Sequence, residues 1–209
     1  MSSTATQADR LLLTSVIEVL NQGEALLSEL DDKSYVGRLP AAFNASIGGH
    51  YRHCLDHFRA LLDAAQDGNL NYDHRDRGTL VETDRFAALN ATRALREGYE
   101  QMPHSWLTRE LEVTCKTSYA SSGSQTSGST VAREIMYVVA HAVHHYALIG
   151  IMGGLMGLNM PAGFGVAPST AKYQADVAAD VRRYAGLAQD ASANARLLTP
   201  AATSDTTNL

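Results

Sequence analysis

One apolar run constrains this chain more than any other stretch. Between Val138 and Met152 the sequence carries Ala140-His141-Ala142-Val143-His144-His145-Tyr146-Ala147, which places three histidines inside a segment that must be buried. A buried imidazole needs a partner for its nitrogens, because an unpaired polar group away from water is costly. In a helix the chain turns by about 100° per residue, so His141 and His145 lie one above the other on one face. Two imidazoles so placed can share one metal ion. The same spacing also suits core histidines that are each satisfied by a hydrogen bond. A second cluster, His50-Tyr51-Arg52-His53-Cys54-Leu55-Asp56-His57, lies in another helix-like segment and strengthens the metal reading.

With 209 residues and 45% hydrophobic content, the chain suits one helical domain over residues 1–195. The polar tail, residues 196–209, is expected to be disordered. The net charge is -5 and no Lys/Arg cluster occurs, so the electrostatic footprint of nucleic-acid binding is missing. Two cysteines, Cys54 and Cys115, make no disulfide framework, and Met1 to Arg10 is polar, unlike a secretory start. A cytoplasmic setting is expected. The run from Val138 to Met160 raises the question of a membrane helix, but its three histidines and later Gly and Asn residues argue against a span.

Periodicity predicts a first helix from Thr6 or Asp9 to about Leu30. A second starts near Asn44 or Ser46, with Ile47, Tyr51, Leu55, Phe58 and Leu62 as its apolar stripe. On that wheel His50 and His57 flank the stripe and His53 sits further round. Asn71 to Gly78 reads as a charged loop. A third helix spans about Thr83 to Gln101, with Phe86, Leu89, Ala94 and Leu95 inward. Leu111 to Thr117 alternates apolar and polar, and Ser118 to Thr130 is rich in Ser, Gly and Thr. This predicts a small β-hairpin or a long loop. Ser129 or Thr130 caps a fourth helix with Val131, Ile135, Val138, Val139, Ala142, Tyr146 and Ile149 inward. The spacing of Gly150, Gly153, Gly154 and Gly157 allows close backbone approach, as tight packing or as a dimer contact. A short last helix is expected from Ala171 to about Gln189.

In this order the segments resemble the DinB/YfiT-like superfamily of metal-binding four-helix bundles. The resemblance covers roughly residues 8–160. It rests on Ser46-Ile47-Gly48-Gly49-His50-Tyr51-Arg52-His53-Cys54-Leu55-Asp56 and on His141-Ala142-Val143-His144-His145-Tyr146-Ala147-Leu148-Ile149. It implies an all-α, DinB-like four-helix bundle with the hairpin or loop before the fourth helix. It also implies a metal site made of one His from the second helix and the HxxxH pair. The family places the first ligand seven residues after a Ser/Thr cap, which from Ser46 gives His53, together with His141 and His145. His50, nearer the apolar face on the wheel, is the reserve. Many relatives continue the late motif as His-Arg-Gly-Gln, where this chain has His145-Tyr146-Ala147-Leu148.

Three neutral imidazoles suit Zn, Ni or Fe and leave coordination positions open. Such a centre can activate water or hold a thiolate. The resemblance implies a metal-dependent enzyme acting on a small molecule, either a thiol-dependent transferase with a low-molecular-weight thiol as cosubstrate or a hydrolase. Glu134 and Asp56 are the candidate bases; either could instead orient a ligand His or be a solvated charge. Cys54 turns toward the apolar stripe and reads as a small buried hydrophobe. Two other functions fit the same residues: a non-catalytic metal-binding or stress-response protein, and a purely structural helical dimer. A homodimer is the expected assembly.

Overall fold

Four amphipathic helices carry the apolar stripes that build the core, and each begins where a side chain can cap it. The computed structural model describes residues 6–74, 78–120 and 122–197. Helix α1 (Gln7–Glu29) opens on a reciprocal cap: Asp9 N–H donates to Thr6 Oγ1 at 3.1 Å and Thr6 N–H donates to Asp9 Oδ2 at 2.9 Å. A single turn, α2 (Asp32–Val36), and two short antiparallel strands, β1 (Arg38–Leu39) and β2 (Ala45–Ser46), lead to α3 (Ile47–Asp67). Ser46 Oγ caps α3 by accepting from Gly49 N–H at 3.0 Å. Gly68 ends α3 at φ +89°, a left-handed conformation that glycine adopts without strain.

A short strand, β3 (Asn69–Asn71), leads into the segment read as a charged loop and takes in its first residue, Asn71. It is followed by α4 (Leu80–Thr83) and α5 (Arg85–Glu100). Asp84 Oδ1 caps α5 by accepting from the N–H groups of Phe86 and Ala87 at 2.8 and 3.0 Å. The expected inward face of this helix needs correction. Ala88, Thr92, Leu95 and Tyr99 are buried, whereas Phe86 is 57% exposed and Ala94 is also exposed. Pairing at four-, three- and four-residue spacing sets the stripe on 88, 92, 95 and 99, and the Arg85 guanidinium covers Phe86 from outside, 4.4 Å from its ring centre.

The expected hairpin is present as β4 (Glu110–Cys115) and β5 (Gln125–Thr130), in antiparallel register from Glu110↔Thr130 to Cys115↔Gln125. Parallel pairing of β3 with β4 makes a three-stranded sheet of order β3-β4-β5. Thr130 ends β5 and also caps α6 (Val131–Leu155), its Oγ1 accepting from Arg133 N–H at 3.3 Å. The sheet is pinned to α6 by a buried carboxylate. Glu134 is 1% exposed and accepts from Tyr72 Oη at 2.8 Å, Ser129 Oγ at 2.6 Å and Arg133 Nη1 at 2.7 Å.

The core lies among α1, α3, α5 and α6, with α1 against α5 and α6, and α3 against α5 and α6. This is a four-helix bundle with a small sheet at its side. On α6, Val131, Ile135, Val138, Ala142, Tyr146 and Ile149 are 0–1% exposed. That helix is long and apolar enough to cross a membrane, the one such helix among the described residues, and its apolar face packs on α1 and α3. The glycine-rich end of α6 packs within the chain at Gly153, where an added Cβ would overlap the Met160 thioether.

The chain gathers into two compact units, Met1–Val166 and Ala167–Leu209. The single domain read over residues 1–195 takes in the first and most of the second. Within the second, α7 (Pro168–Leu197) has 30 residues, so the last helix is not short. It starts at Pro168, which suits a helical first turn, and no glycine or proline interrupts it before Gly186. The tail expected to be disordered lies, from residue 198 onward, outside the described residues.

Gly23 shows how closely the bundle packs. A Cβ there would overlap the hydroxyls of Tyr51 and Tyr146, whose side chains are fully buried and have no room to yield. Gly23→Ala is therefore expected to destabilise the protein by about 1–3 kcal/mol, read as a lowered midpoint in urea unfolding.

Candidate metal centre

The contact of α3 with α6 decides what the histidines can do. His53 on α3 faces His141 and His145 on α6, and one ring nitrogen from each lies within 4.8 Å of the other two. His53 Nε2 and His141 Nε2 are 2.9 Å apart. The ring centres of the three are separated by 4.6, 4.6 and 4.9 Å, and all three side chains are half-buried. Nitrogens bound to one ion at about 2.0–2.1 Å lie about 2.9 Å apart at a right angle and about 3.3 Å apart at the tetrahedral angle. The 2.9 Å separation of His53 and His141 suits a shared ion, and imidazole suits borderline divalent metals.

The remaining histidines support this group in different ways. His50 Nδ1 lies 2.9 Å from His145 Nδ1, so one ring can hold the other's orientation. Burial first, and then the neighbouring His144, hold the His50 imidazole below its ordinary pKa. His57 is 5% exposed, and its Nδ1 lies 2.9 Å from the His53 carbonyl oxygen, to which an Nδ1–H donates. Its ring stacks between Tyr72 at 4.9 Å and His141 at 4.2 Å, and Tyr137 stacks on His141 at 5.6 Å. His144 is exposed.

Helical position explains why His53 meets α6. The apolar stripe of α3 is shared between α5 and α6. His50, His53 and His57 all face α6, and His53, between the other two along the helix, is the one that groups with both His141 and His145.

The two candidate carboxylates take different places. Glu134 sits two turns before His141, roughly 10 Å away along the axis, and its oxygens accept from Tyr72, Ser129 and Arg133. It anchors the sheet. Asp56 pairs with Arg52, which also binds Glu82 at 3.1 Å. The Cys54 thiol is fully buried, and burial first, then Asp56, push its pKa far up, so it is no thiolate nucleophile.

A recess of about 240 Å³ opens over the cluster, lined by Ala45, Gly49, His50, Arg52, His53 and His145. A groove of about 1,010 Å³ runs along β4 and β5 from Glu110 to Arg133 and includes none of the imidazoles. Volume alone would point to the groove; the donor chemistry lies at the recess. The sequence reading missed Tyr72, Tyr137 and Glu82 as neighbours of the site.

No family model matches the chain. FK506-binding protein 5 of Rhizopus delemar is 35% identical over 104 residues, covering 50% of this chain and 27% of that protein. The match thus spans about a quarter of that relative's length. Among solved structures, the crystal structure of a DinB-like protein, YjoA of Bacillus subtilis, aligns with a TM-score of 0.54 and 17% identity, over 72% of this chain and 96% of that one. The helices, their order and the small sheet therefore give this chain the fold of a DinB-like protein.

Proposed function

We propose that this chain is a metal-dependent enzyme in which His53, His141 and His145 hold one divalent ion, Zn, Ni or Fe, beside a small-molecule substrate. The observation that carries the reading is the convergence of the three imidazole nitrogens within 4.8 Å, two of the three residues lining an open recess. A divalent ion there supplies Lewis acidity toward water or a thiol, consistent with a hydrolase or with a transferase that uses a low-molecular-weight thiol.

The chain's own groups divide the remaining work. His53 and His145 line the recess, so a small molecule can reach the edge of the cluster from outside. His141 lies behind them, stacked on His57 and Tyr137, which exclude water from that side. His50 holds His145 through the Nδ1–Nδ1 contact. Arg52 bridges Asp56 and Glu82 and keeps the rim in place. At about 240 Å³ the recess is smaller than the roughly 300–1,000 Å³ of drug-sized pockets, which fits a small substrate. A cytoplasmic setting, with neither nucleic acid nor membrane as partner, belongs to the same proposal.

Elemental mass spectrometry of the purified protein tests the reading. About one ion per chain is expected, lost in His53→Ala and in His145→Ala. No ion after reconstitution with Zn, Ni and Fe would sink the proposal. A metal kept in His53→Ala and lost in His50→Ala would move the α3 ligand to His50. With metal bound, turnover of thiol-electrophile pairs or activated esters separates an enzyme from a protein that only holds metal.

His50→Ala is expected to keep the full metal stoichiometry while weakening affinity about 10–100-fold, the usual effect of removing a group that orients a ligand. Competition with a chelator of known affinity measures it. Glu134→Gln is expected to keep the metal and to lower stability by about 1–3 kcal/mol, because a buried donor loses its charged acceptor. Chemical unfolding of the loaded protein reads that loss, and loss of metal without loss of stability would instead place Glu134 at the centre.

A further inference from the structure

Strand β5 is an outer strand of the three-stranded sheet, and among the described residues of the first unit no strand lies beyond it. An edge strand presents a row of unpaired N–H and C=O groups. Proteins usually blunt such a row with charge, proline, a bulge or shortness. β5 has none of these. It reads Gln125-Thr126-Ser127-Gly128-Ser129-Thr130 and pairs with β4 in unbroken register over its six residues.

The register shows which backbone groups face outward. Val131 N–H donates to the Arg109 carbonyl at 3.1 Å, and bonded pairs alternate with unbonded ones along an antiparallel ladder. Ser129 and Ser127 therefore bond to Leu111 and Val113 of β4. Thr126 and Gly128 turn their N–H and C=O groups away from β4. The 3.2 Å contact between the Thr114 and Thr126 hydroxyls fits the closer side chains of an unbonded pair.

The side chains beside that edge select its occupant. Glu110 and Glu112 share a face of the sheet with Thr130 and Gly128, the residues opposite them, whereas Leu111 on the other face is buried. Glu110, Glu112 and Gly128 are exposed. Neither carboxylate has an ion-pair partner among the described residues, and Arg133, at the end of the groove, is paired with Glu134. A strand added to β5 lies about 10 Å from β4, two strand spacings. Its residue opposite Gly128 points its side chain to the carboxylate face, where nothing stands within 4 Å of a Cβ at Gly128. A lysine or arginine there can lie over Gly128 and reach Glu112. The groove of about 1,010 Å³ along β4 and β5 leaves room for such a strand. The β5 edge of a second copy would bring the same two carboxylates and no cation, which sets like charges on one face.

We propose that the β5 edge binds an extended peptide as a fourth, antiparallel strand, with one basic residue opposite Gly128 against Glu112 and another two positions away against Glu110. Main-chain bonds to Thr126 and Gly128 give affinity, and the basic side chains give selectivity. This is independent of the metal reading.

Fluorescence anisotropy of a labelled peptide, Thr-Lys-Val-Lys-Val-Lys-Thr, titrated with the full chain tests it. Saturable binding is expected, with slowed amide exchange at Thr126 and Gly128. Added salt is expected to weaken it several-fold, as is Glu110→Gln with Glu112→Gln, a variant whose fold circular dichroism verifies. The same peptide with glutamate for each lysine is expected not to bind. Methylating the lysine backbone nitrogens keeps every charge, removes the donors that face β5, and is expected to abolish binding.

A lysine peptide that does not bind, or that binds as well when methylated, overturns the proposal. Equal binding to the double Gln variant, or by the glutamate peptide, overturns the charge selection. Amide exchange at Thr126 and Gly128 that slows as the protein alone is concentrated would put a second copy on the edge, and overturns the peptide as its occupant.

Discussion

The 2.9 Å approach of His53 Nε2 to His141 Nε2 is the contact on which the candidate site depends. Two neutral imidazole nitrogens at that distance are compatible only if one carries the proton and the other accepts it. A third ring in the same group, and His50 at 2.9 Å from His145, extend the constraint from pair to pair. Protonating two adjoining rings would set like charges side by side in a half-buried place, which the surroundings disfavour. The cluster is stable either as an ordered chain of tautomers or around a shared cation. A shared cation satisfies every lone pair at once, so the geometry and the chemistry of the donors favour the same occupant.

What places those nitrogens is not itself a histidine. The hairpin hands the chain to α6 at Thr130, and Glu134, one turn later, is fixed from three sides by Tyr72, Ser129 and Arg133. This sets where α6 begins and how it is rotated. His141 and His145, two and three turns on, inherit that setting. On the other helix the Ser46 cap plays the matching part, because it fixes the residue at which α3 starts and so the register in which its histidines meet α6. The buried carboxylate and the cap serve the candidate site through register, although neither belongs to the three-histidine group.

The same facts explain what could be read from the sequence. The HxxxH pair and the Ser46-to-His53 spacing were legible because helical geometry is local and periodic. The wheel alone favoured His50 and His57, since it records distance from an apolar stripe and cannot know which neighbour covers each side of it. Glu134 read equally well as a base or as a solvated charge, because its partners Tyr72 and Ser129 come from β-structure that pairs over long separations in sequence. Strand β3 was invisible for a related reason: Asn69-Leu70-Asn71 has no strand composition, and its conformation is imposed by parallel pairing with β4. Phe86 was misplaced because one large apolar residue outweighed the smaller Ala88 and Thr92, which are the ones that let α5 pack closely.

The distribution of charge around the recess bears on what the proposed centre would accept. The acidic side chains nearby are engaged within the protein: Asp56 and Glu82 share the Arg52 guanidinium, and Glu134 is held by Arg133 and two hydroxyl donors. The three-residue donor set is entirely imidazole and contributes no negative charge. Under the proposed reading, a divalent cation held there keeps its whole charge, in contrast to one held by carboxylates. The recess also opens beside the first turn of α3, where backbone N–H groups carry partial positive charge. Both effects favour an anionic atom over a neutral one at the same position. With that ion in place, the same proposal matches a thiolate or a carboxylate oxygen to this recess better than an uncharged apolar ligand, which would gain only the modest burial that about 240 Å³ can provide.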